Sequence, residues 1–211
     1  MLLHKDVELT GDVMFVNGLL FFVIISRNLT FGTVKEMKER TAQTLISNLK
    51  KTSNLYQDRG FHVATVFIDR EFECIRDVME YDPQMKVTML NTTYTSKHVP
   101  ENERRIRVIE ERVRAEKVAM SYRRLPAKMI RDLVNFVVMW LNAYPTSTGV
   151  GKLSSRTIMT GTQLDFQYHC KEASGHMCKH TKTGPTIPTS KVHWTASVWD
   201  PTATCKVGTS S

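Results

Sequence analysis

Apolar residues fill positions 13–25, apart from an Asn17-Gly18 pair. Asn-Gly between two apolar runs signals a hairpin, because both central residues of the tight turn need positive φ. The pattern predicts strands at 12–16 and 19–26, and a third at 29–34 after an Arg27-Asn28 turn. Leu45, Leu49 and Leu55 among polar residues predict a helix over 39–59, stopped by Gly60. The β-branched stretch 61–68 predicts a buried strand ending at Asp69. A short helix follows at 72–81, with Cys74, Ile75, Val78 and Met79 on its apolar side, then a short strand at 85–90. Residues 91–97 read as a polar loop, and Pro100 suits the first turn of a helix running to about 121. Its apolar stripe is Ile106, Ile109, Val113 and Met120. Pro126 opens a last helix, 126–143, with Ile130, Leu133, Val137 and Leu141 at helical spacing.

The chain has 211 residues, enough for one sizeable core, so its four cysteines are not needed as staples. The cysteine usage suits a reducing compartment. No secretory signal is visible, and the run from Val13 to Ile25 is too short to span a bilayer. Residues 181–211 hold 17 Thr, Ser, Pro and Gly in 31 positions, which predicts a poorly ordered tail. The expected division is therefore a core over 1–165 and an irregular segment over 166–211.

The net charge of +8 is not spread evenly. Residues 1–103 carry 12 basic and 14 acidic side chains, whereas 104–131 carry 10 and 3. A stretch of net +7 is either a solvated helix face or a footprint for nucleic-acid phosphates. Intrahelical pairs such as Glu103–Arg107 and Glu110–Arg114 are the simpler use of those charges. His169, Cys170, His176, Cys178 and His180 lie close in sequence but lack the paired spacing of a zinc knuckle or finger.

Three carboxylates fall at notable places. Asp12 begins the first predicted strand, Asp69 ends the strand after the long helix, and Glu103 lies 34 positions further on, opening the basic helix. Two strand-end Asp and a helical Glu can converge at one sheet edge. Such hard oxygen ligands suit Mg²⁺ or Mn²⁺. Two such ions about 3.5–4 Å apart clamp an in-line phosphoryl displacement.

Ordered blocks carry a resemblance. Gly-Asp-Val-Met-Phe-Val-Asn-Gly-Leu-Leu-Phe-Phe-Val-Ile-Ile-Ser occupies 11–26, and Phe-Ile-Asp-Arg-Glu-Phe-Glu occupies 67–73. His-Val-Pro-Glu-Asn-Glu-Arg-Arg-Ile-Arg-Val-Ile-Glu-Glu-Arg occupies 98–112. Downstream stand Trp140 to Pro145 and Leu153 to Gly161. Together, from about Gly11 to Gly161, they resemble the catalytic core of retroelement integrases, closest to the copia-type retrotransposon family.

The resemblance implies an α/β, ribonuclease H-like fold: a mixed five-stranded sheet flanked by helices. It implies metal-dependent cutting of DNA ends and their transfer to target DNA, with Asp12, Asp69 and Glu103 as the acidic triad. Partners would be element ends, target DNA and further copies of the chain, with no membrane, in an intracellular and, when active, nuclear setting. Arg104, Arg105, Arg107 and Arg112, with Arg114 and Lys117, are then candidate DNA contacts, and Tyr94 a base-stacking one. Asp6 is the rival first ligand, and Glu101 the rival of Glu103. Arg70 departs from the usual Gly or Asn after the second Asp, and the zinc domain that normally precedes such cores has no counterpart here. Both departures fit a fragment of a polyprotein or a decaying copy. The alternatives are a non-catalytic nucleic-acid-binding remnant and a purely hydrolytic ribonuclease H-like nuclease.

Overall fold

The computed structural model describes residues 5–68, 75–76, 89–92, 100–120, 122, 124–145 and 153–163. Five strands form one mixed sheet: β1 (Asp6–Val16), β2 (Leu19–Ser26), β3 (Gly32–Met37), β4 (His62–Ile68) and β5 (Met89–Thr92), in the order β3-β2-β1-β4-β5. β1, β2 and β3 pair antiparallel, while β1–β4 and β4–β5 are parallel. The helices are α1 (Ala42–Gln57), α2 (Pro100–Ala119), α3 (Ala127–Ala143) and α4 (Ser155–Thr160). This is the mixed, helix-flanked α/β sheet expected from the sequence. No helix among the described residues is long and apolar enough to cross a membrane.

The hairpin turn follows from its two residues. Asn17 has φ 50° and Gly18 φ 80°, so Val16 pairs directly with Leu19. β1 begins at Asp6, six residues before the predicted start, so Asp12 stands inside a strand rather than at its beginning. The added half alternates: Val7 and Leu9 are buried beneath α1, and the parallel ladder to β4 holds their backbones.

β3 also starts later than predicted. Leu29 and Phe31 are buried, but through a turn in which Thr30 takes φ 56° and donates its N–H to Ser26 O. The first helix is shorter than 39–59 because Thr41 caps it, its Oγ1 accepting the Thr44 N–H at 3.4 Å. Asn91 and Thr92 belong to β5 rather than to a loop. Of the helix expected over 72–81, only residues 75 and 76 are described, with Ile75 fully buried. Most of 85–90 and of the loop to 97, and everything from 164 onward, lie outside the described residues.

Each sheet face has its own core. Val7, Leu9, Phe22, Ile24 and Ile68 pack against Leu45, Leu49 and Tyr56 of α1 and Met159 of α4. Met14, Val16, Phe21, Val23 and Val34 pack against Ile109 and Val113 of α2 and Ile130, Leu133, Val134, Val137 and Val138 of α3. Asn142 closes the edge strand. Its Oδ1 accepts the Gly32 N–H at 2.9 Å and its Nδ2 donates to Gly32 O at 2.7 Å. An edge strand otherwise leaves such groups without a ladder partner.

Candidate acidic site on β1 and α2

β1 pairs with β4 as far as Gly11–Ile68, and β4 pairs with β5 as far as Ile68–Thr92. Asp12 is the next residue of β1, the first beyond the described ends of both parallel neighbours. Crevices beyond the carboxyl ends of parallel strands are where open α/β sheets bind ligands. Gly11 lets the sheet close tightly just before this point. A Cβ there would meet the Phe22 ring at 3.0 Å and Ile68 Cγ2 at 3.1 Å.

Side chains alternate along β1. Met14 and Val16 face the core under α2 and α3, so Asp12 projects to that same face. It is half-buried, and its Oδ1 accepts the N–H of Val13 at 2.6 Å. Among the described residues Val13 has no β4 partner in the parallel register.

α2 lies along β1 in the same direction. Near its start, Arg27 Nε donates to Glu101 Oε2 at 2.8 Å, and Nη1 meets Glu8 Oε2 at 3.3 Å. Near its end, Lys117 Nζ donates to Asn17 Oδ1 at 3.4 Å. From Glu101 to Lys117 the helix climbs about 24 Å, and from Glu8 to Asn17 the strand covers about 30 Å. The two elements therefore run side by side. The Arg27 guanidinium sits 5.1 Å above the Phe67 ring, and Phe67 is the β4 partner of Thr10. The first turn of α2, with Glu103 exposed on it, thus lies towards the Glu8–Thr10 part of β1, on the side of the sheet that Asp12 faces.

This geometry sorts the rival carboxylates. Asp6 lies about 20 Å from Asp12 along β1, where its Oδ1 meets His62 Nδ1 at 3.1 Å. Glu101 is engaged by Arg27. Asp69, which follows Ile68 in the chain, lies outside the described residues. Among the described residues, no three His, Cys, Asp or Glu side chains are grouped closely enough to hold a metal. The donor set that is described consists of carboxylate oxygens, which match hard divalent cations.

The cations of α2 divide in two. Arg104, Arg107 and Arg112 are exposed, although Arg107 pairs with Glu111 at 3.0 Å. That is an intrahelical i,i+4 pair of the kind expected from sequence. Arg105 turns inward. Its Nη2 donates to Asn142 Oδ1 at 3.3 Å, and burial, with repulsion from Arg112, lowers its pKa to about 10. Tyr94 is outside the described residues.

Two working residues carried little signal in the sequence. Arg27 reads as a plain turn residue, since its partners at 8, 67 and 101 are far away along the chain. Asn142 carried a clue: it continues the buried Val134–Val138 stripe of α3 with a polar side chain.

No protein-family model matches this chain, and no curated protein matches it in sequence. Among solved structures it is similar to the catalytic core domain of BIV integrase. That likeness has 14% identity and a TM-score of 0.49, and covers 73% of this chain and 93% of the other.

Proposed function

We propose that this chain is an integrase-type catalytic core, of the copia-like kind its sequence blocks resemble, which cuts DNA ends and joins them to target DNA. The observation that carries the reading is the placement of Asp12. It is a half-buried carboxylate just past the described end of the parallel ladder, on the face that α2 covers, and Glu103 is exposed on the first turn of that same helix. Asp69 completes the proposed triad from the residue after β4. These three would hold Mg²⁺ or Mn²⁺, which when bound supplies charge neutralisation and a more acidic water at the reacting phosphate.

The chain's own groups do the rest. Val13 N–H holds one Asp12 oxygen and so fixes the direction of the carboxylate. Arg104, Arg107, Arg112 and Arg114 are the α2 arginines open to solvent, and they are assigned to DNA phosphates. Tyr94 keeps the role implied by the resemblance, whereas Arg105, turned inward onto Asn142, braces α2 rather than meeting DNA. In the cutting step a water oxygen bonds to phosphorus, and the 3′ oxygen leaves with a proton. In the joining step that 3′-hydroxyl attacks a target phosphodiester, whose own 3′ oxygen departs. The core over 1–165, the separate segment over 166–211, assembly with further copies and a nuclear setting belong to the same proposal.

A joining assay on a pre-cut duplex tests it. Mg²⁺- or Mn²⁺-dependent joining to target DNA, lost in Asp69→Asn, supports the reading. Cleavage without joining points to the hydrolytic nuclease. Binding of DNA with neither activity points to the non-catalytic remnant, for which the exposed cations of α2 suffice.

A further inference from the structure

A cleft of about 400 Å³ opens where β3 ends against α1, lined by Lys38, Thr44, Ser47, Asn48 and Lys51 together with Glu36, Met37 and Gln43. It lies two strands away from β1, beside the opposite helix layer, and owes nothing to the carboxylates of Asp12 and Glu103. Thr44, Ser47, Asn48 and Lys51 follow one another at helical spacing, so one side of α1 presents two hydroxyls, an amide and an ammonium.

Asn48 gives this wall its chemical preference. The residue is 7% exposed, and its Nδ2 has no hydrogen-bond partner among the described residues. A buried amide donor left unpaired costs about 1–3 kcal/mol, so the wall calls for an acceptor. The charges around it select an anionic one. Neither Lys38 nor Lys51 is in an ion pair among the described residues. Glu36, the one carboxylate in the lining, is already neutralised by Arg131 at 3.3 Å. Lys35 also feels this field, its pKa lowered by burial and then by repulsion from Lys51.

We propose that this cleft binds the phosphate group of a phosphate ester. Asn48 turns its buried, unpartnered Nδ2 into the cleft to donate to one phosphate oxygen, and Lys38 and Lys51 neutralise the charge. The volume exceeds that of a bare phosphate and falls within the range of small-ligand clefts, about 300–1,000 Å³, which leaves room for the esterified group. The ester could be a free nucleotide or one link of a polynucleotide backbone.

The test titrates three probes into the isotope-labelled full chain and follows the Asn48 side-chain amide by NMR: inorganic phosphate, thymidine monophosphate and a short single-stranded oligonucleotide. The expected result is a saturable shift at Asn48, weakened about tenfold in Lys51→Gln; in Asn48→Asp, followed through the backbone amides of residues 47, 48 and 51, saturable shifts are lost. Lys51 is exposed, so its variant keeps the test meaningful if Asn48→Asp fails to fold. Saturation by the monophosphate as readily as by the oligonucleotide identifies a free ester. Markedly tighter oligonucleotide binding identifies a backbone phosphate. No saturable Asn48 shift with any probe, or unchanged affinity in Lys51→Gln, overturns the proposal.

Discussion

Arg27 Nε donates to Glu101 Oε2 across 2.8 Å and so ties the turn after β2 to the first turn of α2. The same guanidinium reaches Glu8 on β1 and covers the Phe67 ring on β4. Exposed pairs of this kind contribute about 1 kcal/mol or less to stability. Replacing Arg27 with Met should therefore leave thermal unfolding nearly unchanged. If α2 must be held at this angle for Glu103 to work, joining activity should fall about tenfold, a 1.4 kcal/mol change in barrier. That loss should appear in kcat rather than in DNA affinity. Equal losses of activity and of unfolding temperature would make Arg27 merely structural.

Asn142 should be among the least replaceable residues. Its amide bonds both backbone groups of Gly32 and accepts from Arg105, and Ser155 Oγ donates to its backbone carbonyl at 3.2 Å. Asn142→Leu leaves these groups buried without partners. Urea unfolding should show a loss of about 2–4 kcal/mol, from more than one unsatisfied buried group.

Gly11→Ala tests the close approach behind Asp12. The added methyl carbon would meet Phe22 at 3.0 Å and Ile68 at 3.1 Å, both buried. Overpacking of this kind costs about 1–3 kcal/mol, and calorimetry should register it as a lower unfolding temperature.

Alkaline pH should destabilise the fold through Tyr56. Its side chain is fully buried and its hydroxyl donates to Phe31 O at 3.2 Å. Burial raises its pKa well above the ordinary 10.0. Above that pH the unfolded chain releases the phenol proton and the folded chain keeps it, so stability falls as pH rises. Tyr56→Phe should remove this slope. The check is urea unfolding of both proteins on either side of pH 10.0.

The hairpin was legible because Asn17 and Gly18 state their own backbone conformation. The apolar stripes of α2 and α3 were legible because each side faces one core throughout. The first half of β1 was not. Glu8, Thr10 and Asp12 put polar groups on a face whose shared apolar core begins only at Met14, so the alternation looked like loop. Leu29 and Phe31 misled in the other direction, being buried by a turn rather than by a ladder. Charge counting placed six cations on one helix but could not say which faced inward. Arg105 faces inward because Asn142, 37 residues away, supplies its acceptor. Asp12 was found through block resemblance, whereas its remoteness from Asp6 needed the strand to be seen whole.

The proposed function requires Asp12 and Glu103 to share a divalent-cation site beyond the described end of the parallel ladder. Paramagnetic line broadening by Mn²⁺ tests it most directly. The expected result is saturable broadening of the backbone amides of residues 11–13 and 101–104, abolished in Asp12→Asn. Broadening centred on Asp6 and His62, or broadening at residues 11–13 that survives Asp12→Asn, would contradict it.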